Sequence, residues 1–337
     1  LFLAGDLMEK GPDCLGLLRF LRQLSVTHRV YALQGNCDTI AQDMQDPLQR
    51  EALRAYLLTR RNTLPGQMCM ELGLRVTENT DMAALQAVLC RAYATELAYL
   101  TALPHVIETP AFRMAHSALQ PGAIETQAVS RILRDNDFFL RAPTMDKPLI
   151  VGHMPVSNFR DDICCCNPVF DTARQICFID GGNELKIFGQ LNGLVLPHGD
   201  LQSASYWAVD GLPCRRVTHA QAASAHACFV HWPHYDIIVQ SPIDRNHSLC
   251  LHPHSGQMLQ VVNAYIDESG HALRNDYTDN RPALAPGDRV SIVEEIGEDV
   301  LIKKDGVVGW TTCAHLDDAI YTTQAAPSQN RSPRPIQ

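Results

Sequence analysis

Four short apolar runs in the first half of the chain each lead into a side chain able to bind a cation. Leu1-Phe2-Leu3-Ala4 runs into Gly5-Asp6, and Arg29-Val30-Tyr31-Ala32-Leu33 into Gly35-Asn36-Cys37-Asp38. Phe112-Arg113-Met114-Ala115 ends at His116, and Pro148-Leu149-Ile150-Val151 at Gly152-His153. A buried strand that stops at a small residue or a tight loop presents its next polar residue at the carboxyl edge of a sheet, where α/β proteins place ligands. Strands are expected at 1–5, 29–33, 112–115, 148–152 and 176–180, alternating with helices. Apolar residues three and four apart predict helices over 13–24, with Asp13 near the first N-terminus, and over 49–61 and 82–103, with a break near Leu64-Pro65-Gly66. The helical stretch between Asp38 and Phe112 either covers the sheet or shapes access to the site.

Taken singly, each donor has a plainer role. Asp6 suits a helix cap, Asn36 a turn, and either histidine a hydrogen-bonded strand end. Their joint order is what argues for a common site. That order, with Gly5-Asp6-Leu7-Met8-Glu9-Lys10-Gly11, Gly35-Asn36-Cys37-Asp38, His116 and Gly152-His153-Met154-Pro155, resembles the calcineurin-like metallophosphoesterases, most closely the bacterial Ser/Thr phosphatase branch. The resemblance extends over roughly residues 1–195, including Ile179-Asp180-Gly181-Gly182-Asn183, within a domain expected to span 1–200. It implies an α/β domain, a β-sandwich flanked by helices, that hydrolyses phosphoesters with two divalent ions, Mn²⁺ or Fe²⁺ by the hardness of the donors. By resemblance the metal ligands are Asp6, Asn36, His116 and His153, with Asn36 also facing substrate. The family's Asp-x-His block is not found here, so one metal site reads as incomplete, the chain as lacking its first βα unit, and its activity alone as impaired.

Two departures bear on mechanism. Glu9-Lys10 stands where protein phosphatases have Asp-Arg, so Lys10 would hold the substrate phosphate as a point charge without the bidentate fork of arginine. Cys37 stands where they have the leaving-group acid, and Glu9 where they have its supporting carboxylate; Cys37 and Glu9 are therefore the expected catalytic pair in altered form. The implied function is a phosphomonoesterase acting on phosphoprotein or small phosphate esters by attack of metal-activated water. A phosphodiesterase or dinucleoside polyphosphate hydrolase is the alternative within the class. A catalytically weakened binding protein is the alternative outside it.

Composition narrows the partners. A net charge of −9 over 337 residues argues against broad nucleic-acid binding, which needs a basic face. No apolar run is long enough to span a bilayer, so no membrane association is expected. The 12 cysteines, three of them in a row at Cys164-Cys165-Cys166, show no staple spacing and no Cys-x-x-Cys pair. Ordinary thiols in a reducing cytoplasm are expected. Half of the 14 histidines fall between His219 and His254 without zinc-site spacing.

Beyond residue 200 the chain turns to short β-branched strands separated by turns such as Ser255-Gly256 and Asp305-Gly306. Residues 286–320, through Gly309-Trp310 and Leu316, resemble a bacterial SH3-like module with a peptide as its partner. Residues 201–285 form a β-rich region in which 230–266 reads as a diverged copy. From 321 a disordered tail is expected.

Overall fold

Strand Phe2–Leu3 pairs in parallel with Tyr31–Ala32, and helix Cys14–Thr27 makes the crossover that parallel neighbours require. The computed structural model describes residues 1–60 and 62–321; the tail expected from 321 lies, beyond Tyr321, outside the described residues. Asp13 caps the first helix by accepting from the Gly16 amide at 2.7 Å, satisfying an N–H that has no intrahelical partner. The helix buries Cys14, Leu15, Leu18 and Leu21. Leu17 and Phe20, which the apolar spacing also assigns to the core, stay exposed because a helix resting on one layer buries only one stripe.

After the one-turn helix Ile40–Asp43, four longer helices, Arg50–Thr59, Leu64–Glu71, Met82–Ala92 and Ala94–Thr101, fill the stretch between the second and third donor loops. The break expected near Leu64-Pro65-Gly66 falls between Thr59, where one helix ends, and Leu64, where the next begins, and the tripeptide itself lies just past it. That tripeptide is the first turn of a helix capped by Thr63, which accepts from Gly66 N at 3.1 Å. Pro65 sits where a missing N–H costs nothing. Leu53, Leu64, Met68, Leu89 and Leu97 from these helices share one apolar cluster with Met8, Leu15, Leu18 and Ala32. The helical stretch therefore does cover the first βα unit.

A five-stranded sheet follows, in the order Val106–Glu108, Arg113–Ala115, Leu149–Val151, Ile176–Phe178, Val169–Asp171. Its three inner strands are parallel and both edges are antiparallel. Leu149, Ile150 and Val151 are all buried, as a strand covered on both faces must be. The hairpin Leu191–Val195 with Ser205–Val209 spans residue 200, and its Tyr206 packs with Leu33, Met114, Ile150 and Phe170. The boundary expected at 200 thus falls inside a packed element.

In the C-terminal half, Ile238–Pro242, His247–His252 and Gln257–Val262 form one antiparallel sheet. Arg289–Ile296, Asp299–Lys304 and Val307–Thr312 form another. Each ends alike: a strand, a short 3₁₀ turn (Asn263–Tyr265, Cys313–His315), then a bridging apolar residue, Ile266 or Leu316. The expected division at 285/286 does not follow the pairing, because Cys214–Arg216 is the fourth strand of the second sheet. Buried Trp310 donates to the Thr278 carbonyl at 2.7 Å and packs edge-on against Tyr265, which joins the two sheets in one core.

The C-terminal half is fastened to the first. The ammonium of Lys303, almost fully buried, donates to the carbonyls of Phe188 (2.8 Å) and Gly189 (3.0 Å) and pairs with Asp210 at 2.7 Å. Lys186 pairs with Asp276, both nearly inaccessible. The overall class is mixed α/β with several small sheets, and among the described residues no helix is long and apolar enough to cross a membrane.

Candidate metal centre

Two loops are pressed together at the carboxyl ends of the first two strands. Gly5 has φ +85, and a Cβ there would lie 2.6 Å from Gly35 N; a Cβ on Gly35 would lie 2.2 Å from both Asp6 N and Asp6 Oδ1. No side chain fits at either position. Asp38, buried, clamps the loops together. One of its carboxylate oxygens accepts from Leu7 N and Met8 N, both at 2.9 Å, and the other from Gly35 N at 2.7 Å. Burial pushes its pKa up to about 6. Asp6 and His153 themselves adopt left-handed backbone, φ 53 and φ 70, a conformation non-glycine residues hold only where the surroundings impose it.

The arrangement brings Asp6, His116 and His153 together, with one ligand atom from each within 4.8 Å of the others. Two ligands on opposite sides of an ion at ~2.1 Å are about 4.2 Å apart, so the spacing approaches that of a cation site. His116 donates from Nδ1 to the Ala4 carbonyl at 2.8 Å. That bond turns Nε2 toward Asn36 Oδ1 (3.0 Å) and Asp6 Oδ1 (3.3 Å). A backbone carbonyl on the far nitrogen is the usual means of orienting a metal-binding imidazole. The Nε2 lone pair and two oxygens then face one another, and all three are acceptors unless a proton or a cation lies between them. Accordingly, although burial opposes charge on His116, Asp6 and the Ala4 carbonyl outweigh it and raise its pKa. Burial likewise opposes charge on Asp6, but His116 and Cys37 hold it well below the carboxylate range.

His153 accepts no charge of its own. Burial, then repulsion from His116, lowers its pKa to about 4, leaving it neutral and suited to coordination. Its Nε2 donates to Asn136 Oδ1 at 2.8 Å, and its buried Nδ1 has no hydrogen-bond partner. An orphaned imidazole nitrogen beside a carboxylate, a second imidazole and an amide oxygen makes a donor set that fits a divalent ion. All four ligands expected from sequence therefore lie in one place.

The expected acid pair is not assembled. Cys37 donates from its amide to Asp6 Oδ1 (2.8 Å) and from its thiol to Asp6 Oδ2 (3.2 Å). Burial and the charge on Asp6 push the thiol up to about 12, so it is protonated at neutral pH. Glu9 turns away from it, accepting from the Tyr56 hydroxyl and from Leu64 N at 2.8 Å. The carboxylate thus ties the first loop to two of the inserted helices. Lys10 is exposed and, among the described residues, forms no ion pair.

Two cavities flank the centre, and Lys10 and Asn36 line both. One, of about 350 Å³, lies between Cys37 and the inserted helices, with Leu53, Tyr56 and Arg60 on its wall. These helices therefore border the site as well as covering the sheet. The other, of about 360 Å³, runs from Asp6 and His153 to Trp232, Tyr235 and Asp276. Asp38, Asn136 and this distal wall were not found from sequence. Asp38 had a motif signal; the others sit in stretches with no local pattern. The thiols of 164–166 and the histidines between 219 and 254 join no candidate metal group among the described residues. No protein-family model, curated protein or solved structure matches this chain.

Proposed function

We propose that this chain is a metal-dependent phosphoester hydrolase of the calcineurin-like type, acting on phosphomonoesters of proteins or small molecules. The observation that carries the reading is the convergence of His116 Nε2, Asn36 Oδ1 and Asp6 Oδ1 as mutually facing acceptors, with His153, whose Nδ1 is unpartnered, in the same cluster. The fold is compatible: Leu33, Met114, Ile150, Phe170 and Cys177 pack with Phe2, Leu194 and Tyr206 between strands of the small sheets and the five-stranded sheet, as in a two-sheet sandwich. The paired strand–turn endings at Ile266 and Leu316 favour SH3-like repeats.

Mn²⁺ or Fe²⁺ would be held by Asp6, Asn36, His116 and His153, and when bound would supply charge to hold a phosphate and to activate water. The remaining roles belong to side chains. Lys10, at the junction of the two cavities, binds a phosphate oxygen as a point charge. Cys37 retains its proton at neutral pH and lines the cavity beside Lys10, where its thiol is a donor for a leaving group. Asn136 orients His153, and the Ala4 carbonyl orients His116. Because Glu9 is engaged elsewhere, Cys37 lacks a supporting carboxylate, which favours substrates with good leaving groups.

That same observation supports a second reading, a binding protein whose chemistry has weakened. Metal content and hydrolysis of p-nitrophenyl phosphate and its bis ester, measured with Mn²⁺, separate the two. The hydrolase reading expects turnover that is lost in Asp6→Asn and His153→Ala. Hydrolysis of the diester alone moves the activity to the phosphodiesterases. Stoichiometric metal with no turnover of either ester leaves the binding protein.

A further inference from the structure

Glu9 and Lys10 both hold left-handed backbone, φ 69 and φ 64. Neither is glycine or asparagine, so this conformation persists only where contacts impose it. We infer that Tyr56, on the inserted helix Arg50–Thr59, is a positioning residue: through Glu9 it holds Lys10 in the direction that meets a phosphate. The inference rests on the phosphoester reading for the role of Lys10, and on separate contacts for that of Tyr56.

Lys10 has nothing of its own to hold it. It is exposed, and among the described residues neither its backbone nor its ammonium forms a hydrogen bond or ion pair. Before it, Met8 is buried and its amide donates to Asp38 at 2.9 Å. After it, Gly11 N donates to the Glu9 carbonyl at 2.7 Å, which closes a tight turn around the lysine. The tie from this turn to the rest of the molecule is the Glu9 carboxylate. One of its oxygens accepts from the Tyr56 hydroxyl and the other from Leu64 N at 2.8 Å. Both donors are anchored. Leu64 opens the helix Leu64–Glu71, where its amide has no partner inside the helix and the helix dipole favours a carboxylate. Leu53, Leu64 and Met68 are buried in one apolar cluster, and Tyr56 and Leu57 pack against it. Residue 9 is thereby fixed to the core, and residue 10 takes its direction from residue 9. A side chain projects differently when φ changes sign. Relaxation of Glu9 and Lys10 to right-handed backbone would therefore turn the lysine away from the junction of the two cavities that it lines.

Tyr56→Phe keeps the ring against the core and removes only the hydroxyl. The test is calorimetric titration of the whole chain with inorganic phosphate in saturating Mn²⁺, alongside p-nitrophenyl phosphate kinetics, for wild type, Tyr56→Phe, Lys10→Ala and the double variant. Tyr56→Phe is expected to weaken phosphate binding about fivefold to tenfold, the scale of one lost hydrogen bond, with Mn²⁺ affinity unchanged. KM should rise by a similar factor while kcat stays nearly constant. On the Lys10→Ala background the same change should have no further effect, because no ammonium remains to be aimed. Equal phosphate affinity in wild type and Tyr56→Phe overturns the inference. So does an equal loss on the Lys10→Ala background, or a chain that binds no phosphate in Mn²⁺. Phosphate binding that couples Tyr56 to Lys10, without hydrolysis of the ester, keeps the positioning role and removes the hydrolase reading. Hydrolysis indifferent to Tyr56 keeps the hydrolase reading and removes the positioning role.

Discussion

Adding one methyl group at Gly35 tests whether the packed loops set the metal centre. The new Cβ would stand 2.2 Å from Asp6 N and from Asp6 Oδ1, where ordinary contact begins at 3.4 Å, so Asp6 must retreat by about 1.2 Å. Metal ligands are placed to within about 0.2 Å and functional constellations to within about 0.5 Å, so this displacement is several times the tolerance. The clash itself is expected to cost about 1–3 kcal/mol of stability, as overpacking of a filled site does. Loss of ligand placement should lower Mn²⁺ affinity by roughly 100-fold, the upper range for disturbed ligand support. Gly11, in the partner loop that carries Asp6, has nothing within 4 Å of its Cβ position, so Gly11→Ala is the control. Calorimetric Mn²⁺ titration and thermal melting of Gly35→Ala, Gly11→Ala and wild type provide the comparison. If Gly35→Ala binds Mn²⁺ as tightly as Gly11→Ala, the loop contact does not define the site and the reasoning fails.

Asn136→Ala removes the acceptor from His153 Nε2 and should reduce Mn²⁺ affinity about 10-fold to 100-fold while leaving the melting temperature nearly unchanged; unchanged affinity would dismiss its orienting role. Burial raises the pKa of Glu9 above its ordinary value despite its bonds to Tyr56 and Leu64, so its contribution is complete below the unfolded value and is lost as pH rises through the folded one. Glu9→Gln has no such loss, and its melting temperature relative to wild type should rise from about pH 4 to about pH 7; a pH-independent difference would contradict the assignment. Lys303→Met leaves Asp210 without its buried cation and should cost about 3–5 kcal/mol in urea denaturation, with Lys303→Met/Asp210→Asn recovering part of it. Strict additivity of the two changes would mean the pair is not coupled.

Local patterns told much about the first half. Each donor follows its own strand directly, so Asp6, Asn36, His116 and His153 could be picked out by the apolar run before them. The Thr63 cap was overlooked because a Pro-Gly pair signals a break more loudly than a cap signals a start, although proline is welcome in a first helical turn. Glu9 was misplaced for a different reason. Its position in the motif says that it lies near Cys37, but the donors it meets, the Tyr56 hydroxyl and the Leu64 amide, come from helices about fifty residues away.

The sequence by itself determined the alternation of strands and helices, the four loops that carry the donors, and the turn at Asp305-Gly306 in the last sheet, because each depends on residues adjacent in the chain. Only the tertiary structure decided that Asn136 would steady His153, that Cys214–Arg216 would complete a sheet begun seventy residues later, and that Trp232 and Asn275 would face Asp6 across one cavity. Those pairings join segments with no shared periodicity, and they are fixed by which buried faces and charges, such as Lys303 with Asp210, must be covered at the same time.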